Sequence, residues 1–547
     1  MSRPLLPSFL PSIHLSIPFL SLAESHHVTD SSARVIPASF NKLPTMIRLP
    51  DEIWHSIFSR YLCDIPNVQW ILLRDRLNRD PLKVLLILSL VSRQFHRVAQ
   101  GLLFQVIVAG VRDDEHERQV KLARTLAAHP DVGLNTRAIA IDDIEWPSDA
   151  GLSNMLEQRI DSLSMPQSFQ RLWDKKMDST CGNMTPRDRN NLTSFILALT
   201  PYVKLVDITY SCPSQALFWL LGGSLGKRKE LAYTESSEFF GNEDVQTPFG
   251  TMAETYANHL PNLQELRLRG VGYNSAIEPS PPITDFRRVL LHPNLKTLRA
   301  QGFHWLGFEK ETRLWASFPI RLQRLDLSEA IIDAPTVRHI LAICKDLRSL
   351  YITLGNVRKS GFDINWEFNL TSVGHSLRQL GRNLVEFGLH TDGYEEHRHC
   401  YGRIGSLESM TKLKHLCVTK EHLVGVHGWE GTLQLNEALP FTLETLCLYS
   451  EYYVSPDADY PDLYQEVNDE VCGVLVGGDY PDLREVTILR FSTEEKVRGG
   501  EFGGAVEGWD LVETIQIEPG YNPKKLMHLN TYLTRKRTFG PDVAISA

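Results

Sequence analysis

The chain has 547 residues, 42% hydrophobic and 22% charged, an ordinary globular composition with ample material for a core. Net charge is −9 and the basic runs Lys227-Arg228-Lys229 and Arg535-Lys536-Arg537 are short, so there is no electrostatic footprint for nucleic acid. No stretch reaches the roughly eighteen uninterrupted apolar residues of a membrane span, and neither nucleic acid nor membrane is expected as a partner.

Residues 1–45 differ from the rest of the chain. An arginine near the start and an apolar stretch ending in small residues have the outline of a secretory signal. Pro4, Pro7, Pro11 and Pro18 punctuate that stretch and would break its helix. The segment reads as a disordered leader or an upstream extension of the reading frame, with Met46 a natural start. Eight scattered cysteines, none in a C-x-x-C, read as free thiols in a reducing compartment.

The next block, residues 46–110, predicts two short amphipathic helices. Pro50 suits a first helical turn, and Asp51 and Glu52 suit the positive end of its dipole. Ile53, Ile57 and Phe58 form one apolar stripe, followed by Leu62. Leu88, Val91, Phe95 and Val98 form a second stripe, read as one helix. These residues carry a resemblance. Leu49-Pro50, Glu52-Ile53, Ile57-Phe58 and Leu62 fall on the leading positions of an F-box. Leu88, Leu90, Val91, Ser92, Arg93 and Phe95 fall on its L-x-L-V-[CS] stretch with the basic and aromatic residues that come after it. The sequence departs from the family at about residues 64–84, where some twenty residues stand in place of a few. This insert reads as a looped-out extension or an extra helical turn, in which Trp70, Ile71 and Leu72 could pack locally. The resemblance implies docking to a Skp-type adaptor, and through it to a cullin, by Leu49, Pro50, Ile53, Ile57, Phe58, Leu62, Leu88, Val91 and Phe95.

From about residue 130 to 520 one pattern recurs. Its clearest units are Pro261–Leu268, Pro293–Ala300, Ile320–Leu327, Lys345–Ile352, Arg382–Leu389, Thr411–Val418, Phe441–Leu448 and Pro481–Ile488. Pro201–Ile208 is an earlier member, Arg137–Ile141 a candidate one, and Val512, Ile515 and Ile517 a last. Each L-x-L places two apolar side chains on one side of a strand. Between units, Val337, Ile340, Leu341 and Cys344 follow Pro335 at helical spacing, as do Phe286, Val289 and Leu290 after Thr284, and Leu463, Val467 and Val471. Strand–helix alternation at about 25–30 residues resembles a degenerate leucine-rich repeat. The expected fold class is therefore α/β: a helical F-box-like module, then a solenoid with a parallel sheet on its concave face, then a tail from 521 to 547.

No constellation supports catalysis, and no catalytic, cofactor-binding or metal-binding residue is expected. Gly222–Arg228 lacks the first glycine and the Ser or Thr of a phosphate loop. Glu395–Cys400 offers two histidines and a thiol but no closed ligand set. Trp305, Trp315, Trp366, Tyr452, Tyr453 and Trp509 are either target anchors or loop packing. The combination resembles the F-box/leucine-rich-repeat substrate receptors of SCF-type ubiquitin ligases, which implies an unknown target protein and a cytoplasmic or nuclear location. A leucine-rich-repeat scaffold whose N-terminal helices merely cap the solenoid is the alternative, and exposure of Leu49, Pro50, Ile53, Ile57, Leu88 and Val91 separates the two. A small-molecule sensor would require a deep apolar cavity.

Overall fold

The structure is a computed structural model. It describes residues 49–62, 65, 71–109, 115–141, 191–210, 221, 260–270, 281, 283–312, 320–355, 366–391, 399–425, 432–450, 463–493, 506–516 and 528–538. The leader, most of 142–258, Gly222–Arg228, Trp315, Tyr452, Tyr453, Cys63, Cys181 and Cys212 lie outside these residues.

The fold is mixed α/β. Helices α1 (Asp51–Phe58), α2 (Ile71–Val91) and α3 (Arg93–Leu103) come first. The strands are β1 (Val106–Ala109), β2 (Ala138–Ile141), β3 (Leu205–Tyr210), β4 (Glu265–Gly270), β5 (Thr297–Gln301), β6 (Arg324–Ala330), β7 (Ser349–Leu354), β8 (Phe368–Asn369), β9 (Glu386–Thr391), β10 (Cys400–Tyr401), β11 (His415–Thr419), β12 (Thr445–Ser450), β13 (Glu485–Thr493), β14 (Trp509–Gln516) and β15 (His528–Arg537). Thirteen of them form one sheet in the order β1-β2-β3-β4-β5-β6-β7-β9-β11-β12-β13-β15-β14, while β8 and β10 pair separately. From β1 to β13 every neighbouring pair is parallel.

The L-x-L units set this register. Leu266, Leu298, Leu325, Leu350, Phe387, Leu416, Leu446 and Val486 stand side by side on successive strands. All are buried, as are the second apolar positions from Leu268 to Ile488. The polar lead-in of most units is a turn. Leu263 N–H donates to Leu260 O, Leu295 to His292 O, Leu384 to Gly381 O and Leu413 to Met410 O, at 2.9–3.2 Å. The turn aims the leading leucine into the core, where Leu263, Leu295, Leu322, Leu347, Leu384, Leu413, Leu443 and Leu483 are all buried. Asn294 and Asn383 side chains donate across to the preceding turns at Pro261 O and Lys345 O.

Helical segments cover the apolar face. In helix Ala334–Ile343 Asp333 accepts from Thr336 N–H at 2.9 Å, Pro335 sits in the first turn, and Val337, Ile340 and Leu341 are buried. Phe286, Val289 and Leu290 are buried on a 3-10 helix, Ile283–Leu291, and Val467 and Val471 on helix Leu463–Gly477. One continuous core of buried residues runs from Ile107 to Val506.

Four expectations need correction. Leu88–Val98 is not one helix: Ser92 is extended (φ −158°, ψ 162°), ends α2 and caps α3. The second half of the insert is neither a loop nor one extra turn, since Ile71–Val84 continues into Leu85–Val91 as a single helix. Val512 and Ile515 belong to β14, which pairs antiparallel with β15 and not with a parallel neighbour. Val512 is 45% exposed. The segment read as a tail contributes β15, which enters between β13 and β14.

Candidate functional site, an N-terminal helical module and a polar sheet face

The N-terminal helices have a core of their own. Phe58, Leu85, Val98, Ala99 and Leu102 are buried together, with Trp54, Leu62, Leu88, Phe95 and Leu103 packed round them. Phe58 and Phe95 meet edge to face at 5.1 Å, and Trp54 lies 4.4 Å from Phe95. Polar contacts fix the start of α1 on α3. Gln94 Nε2 donates to Leu49 O and to Asp51 Oδ1, both at 2.8 Å, and Arg97 Nε donates to Asp51 Oδ2 at 2.7 Å. These bonds, Gln94's first, hold the Asp51 carboxyl below the usual carboxylate range.

The predicted docking residues therefore divide. Phe58 is buried, and Leu62, Leu88 and Phe95 pack against it as part of the small core. Leu49 is half-buried and Pro50 exposed. Ile53 (46%), Ile57 (40%) and Val91 (62%) point away from the core. Apolar residues outside the predicted set are exposed as well: Tyr61 follows α1, while Leu86, Ile87 (62%) and Leu90 (72%) lie on the last turns of α2. A crowded apolar run, LLILSLV, has more apolar residues than one helix face can bury. That excess was the available signal.

The second candidate is the polar face of the sheet. On β3 to β9 it carries an alternating ion-pair chain. Asp207 pairs with Arg269 at 3.0 Å, Glu265 with Arg267 (2.7 Å) and Arg299 (3.1 Å), Asp326 with Arg299 (2.8 Å) and Arg324 (3.0 Å), and Glu386 with Arg324 (3.2 Å). Among the described residues, four carboxylates meet four guanidinium groups in it. Arg267 Nη1 also donates to Ile65 O at 2.8 Å, which brings Ile65 onto this face. Beyond β6 the face turns aromatic and thiol-bearing. Tyr351 lies under Arg324 at 5.1 Å, His390 stacks on Tyr449 at 4.2 Å, and Cys417 and Cys447 are register partners on β11 and β12. Burial pushes the His390 imidazole down to about 4 and raises the Tyr351 phenol.

Two of the aromatic residues weighed as target anchors belong to the core. Trp305 is fully buried, and Trp366 is buried with Nε1 donating to Ile332 O at 3.1 Å. Trp509 packs partly against the same core. Of Glu395–Cys400, only His399 and Cys400 are described, His399 lying 5.8 Å from Trp366. Among the described residues no group of three or more His, Cys, Asp or Glu is placed to hold a metal ion, and no helix is long and apolar enough to cross a membrane. The five described cysteines, Cys344, Cys400, Cys417, Cys447 and Cys472, are unbridged.

No protein-family model matches the chain, and a search of curated proteins finds none similar in sequence.

Proposed function

We propose that this chain is a non-catalytic substrate receptor of an SCF-type ubiquitin ligase. In this reading α1–α3 are an F-box that docks on a Skp-type adaptor and, through it, a cullin. The parallel strands and their covering helices are a leucine-rich-repeat solenoid, and its polar face takes the target protein. The setting is cytoplasmic or nuclear. One observation carries the reading: α1 and α2 hold Ile53, Ile57, Leu86, Ile87, Leu90 and Val91 exposed, although the module already has a closed core of its own. Helices that served only to cap the sheet would turn such side chains onto it. Exposed apolar stripes on short helices fit a partner that buries them as anchors.

The structure refines which side chains to change. Phe58, Leu62, Leu88 and Phe95 hold the module together, so their loss would unfold it. Ile57→Asp with Leu90→Asp removes two anchors and leaves the small core intact. Interface anchors contribute about 2 kcal/mol or more each, so capture by a purified Skp-type adaptor falls by about three powers of ten. Undiminished capture by the folded double variant, or no capture by the unaltered chain, leaves the leucine-rich-repeat scaffold reading in its place.

A further inference from the structure

Cys417 on β11 and Cys447 on β12 are direct register partners on neighbouring parallel strands. Their neighbours Leu416, Val418, Leu446 and Leu448 are buried in the core. Side chains alternate along a strand, so both thiols stand on the opposite, polar face. They are unbridged and partly exposed there. Adjacent strands run about 4.8 Å apart, within the roughly 4.4–6.8 Å that separates the Cα atoms of a disulfide. The two sulfurs are not equivalent. The Cys447 thiol holds Cys417 below the ordinary thiol range; burial works against this, and Tyr449 adds to the lowering. Cys447 is raised, first by its neighbour Cys417 and then by burial. One thiol is thus disposed to act as the nucleophile and the other to keep its proton until needed.

We propose that Cys417 and Cys447 form a reversible dithiol–disulfide site on the sheet's polar face, oxidised by small disulfides of the glutathione class. The Cys417 thiolate attacks one sulfur of the small disulfide, forming a mixed disulfide and releasing one small thiolate, which takes up a proton. Cys447 then gives up its proton and attacks Cys417 Sγ. The Cys417–Cys447 bond forms, the mixed disulfide breaks, and the second small thiol leaves. Two protein thiols are oxidised and one small disulfide is reduced to two thiols. The bridge joins strands that are already hydrogen-bonded, so the fold is retained. What changes is the surface beside Tyr449, where two thiols become an S–S link. The site does not depend on the docking reading.

The test uses the full chain, fully reduced, then equilibrated with mixtures of reduced and oxidised glutathione, quenched with acid, alkylated and digested for mass spectrometry. The expected product is a Cys417–Cys447 linked peptide that a dithiol reductant removes. In Cys447→Ser the glutathione adduct stays on Cys417. In Cys417→Ser no linked peptide forms, and any glutathione adduct of the pair lies on Cys447. No linked peptide in a large excess of oxidised glutathione overturns the proposal. Should either variant fail to fold, the linked peptide in the unaltered chain decides, with Cys344, Cys400 and Cys472 as internal references.

Discussion

Gly374 sits buried in helix Leu370–Leu380, whose first turn is capped by Asn369 Oδ1 accepting from Ser372 N–H at 2.9 Å. Helix propensity alone says that Gly374→Ala stabilises by about 1 kcal/mol. The packing says the reverse. A Cβ at Gly374 would lie 2.0 Å from Ile404 O and 2.7 Å from Ile404 C, both backbone atoms. That backbone cannot step aside cheaply: Ile404 N–H donates to His422 O at 2.9 Å, and Arg378 Nη1 donates to Ile404 O at 2.8 Å. Overpacking costs about 1–3 kcal/mol, and a clash with pinned backbone belongs at the upper end. Set against the propensity gain, the net loss is about 2 kcal/mol. Gly473, in helix Leu463–Gly477, has nothing within 4 Å of the same added atom. Gly473→Ala should therefore gain up to about 1 kcal/mol. Urea titrations followed by circular dichroism and tryptophan fluorescence should move the two midpoints in opposite directions with the slope unchanged. A Gly374→Ala midpoint at or above that of the unaltered chain would refute the close approach of this helix to Ile404, and with it the packing argument.

The same geometry fixes other outcomes. Leu350→Ala empties a fully buried site between Leu325 and Phe387 and should cost about 2–5 kcal/mol, read as a lowered urea midpoint. Ser92→Ala removes the acceptor for Phe95 N–H and should cost the module about 1 kcal/mol, seen as faster amide exchange in α3 with the β-sheet unchanged. Burial pushes His304 and His390 down to about 4. The unfolded chain binds these protons near the ordinary value of about 6.5 and the folded chain does not, so stability is lost as pH falls from there towards 4. Each histidine contributes at most about 3 kcal/mol to that loss. The double change to Gln should flatten the slope in that window, and an unaltered slope would count against the burial assigned to both rings.

Much of the sheet was legible in the chain because it is built from local, repeated chemistry. An L-x-L sends two side chains to one face whatever surrounds it, and a polar turn before it needs only its own residues. Pro335 and the Val337–Cys344 spacing likewise write a helix in local terms. The break between α2 and α3 was harder to see. Ser92 interrupts the helix for a single residue, and a 3.6-residue stripe from Leu88 to Val98 looks unbroken across so short a stop. Its sign was a capping residue followed by an apolar stripe, without the acidic partner that makes such a cap conspicuous. β15 was missed because Arg535, Lys536 and Arg537 look like a solvated end, and the direction in which a strand returns to a sheet has no local signature.

In the repeat strands from β4 to β13 the sequence by itself determined which residues turn inward, since period and hydrophobicity are properties of neighbours along the chain. Tertiary structure alone decided which residues meet. Phe58 and Phe95 became core while Ile57 and Val91 stayed exposed, because a helix has one face to spare only after another helix has taken the first. Arg267 reached Ile65, and Cys417 came to stand beside Cys447, because parallel pairing fixes register between strands far apart in the chain. Register is set by the backbone ladder and by the apolar layer beneath it, and the residues on the polar face are carried into contact by both.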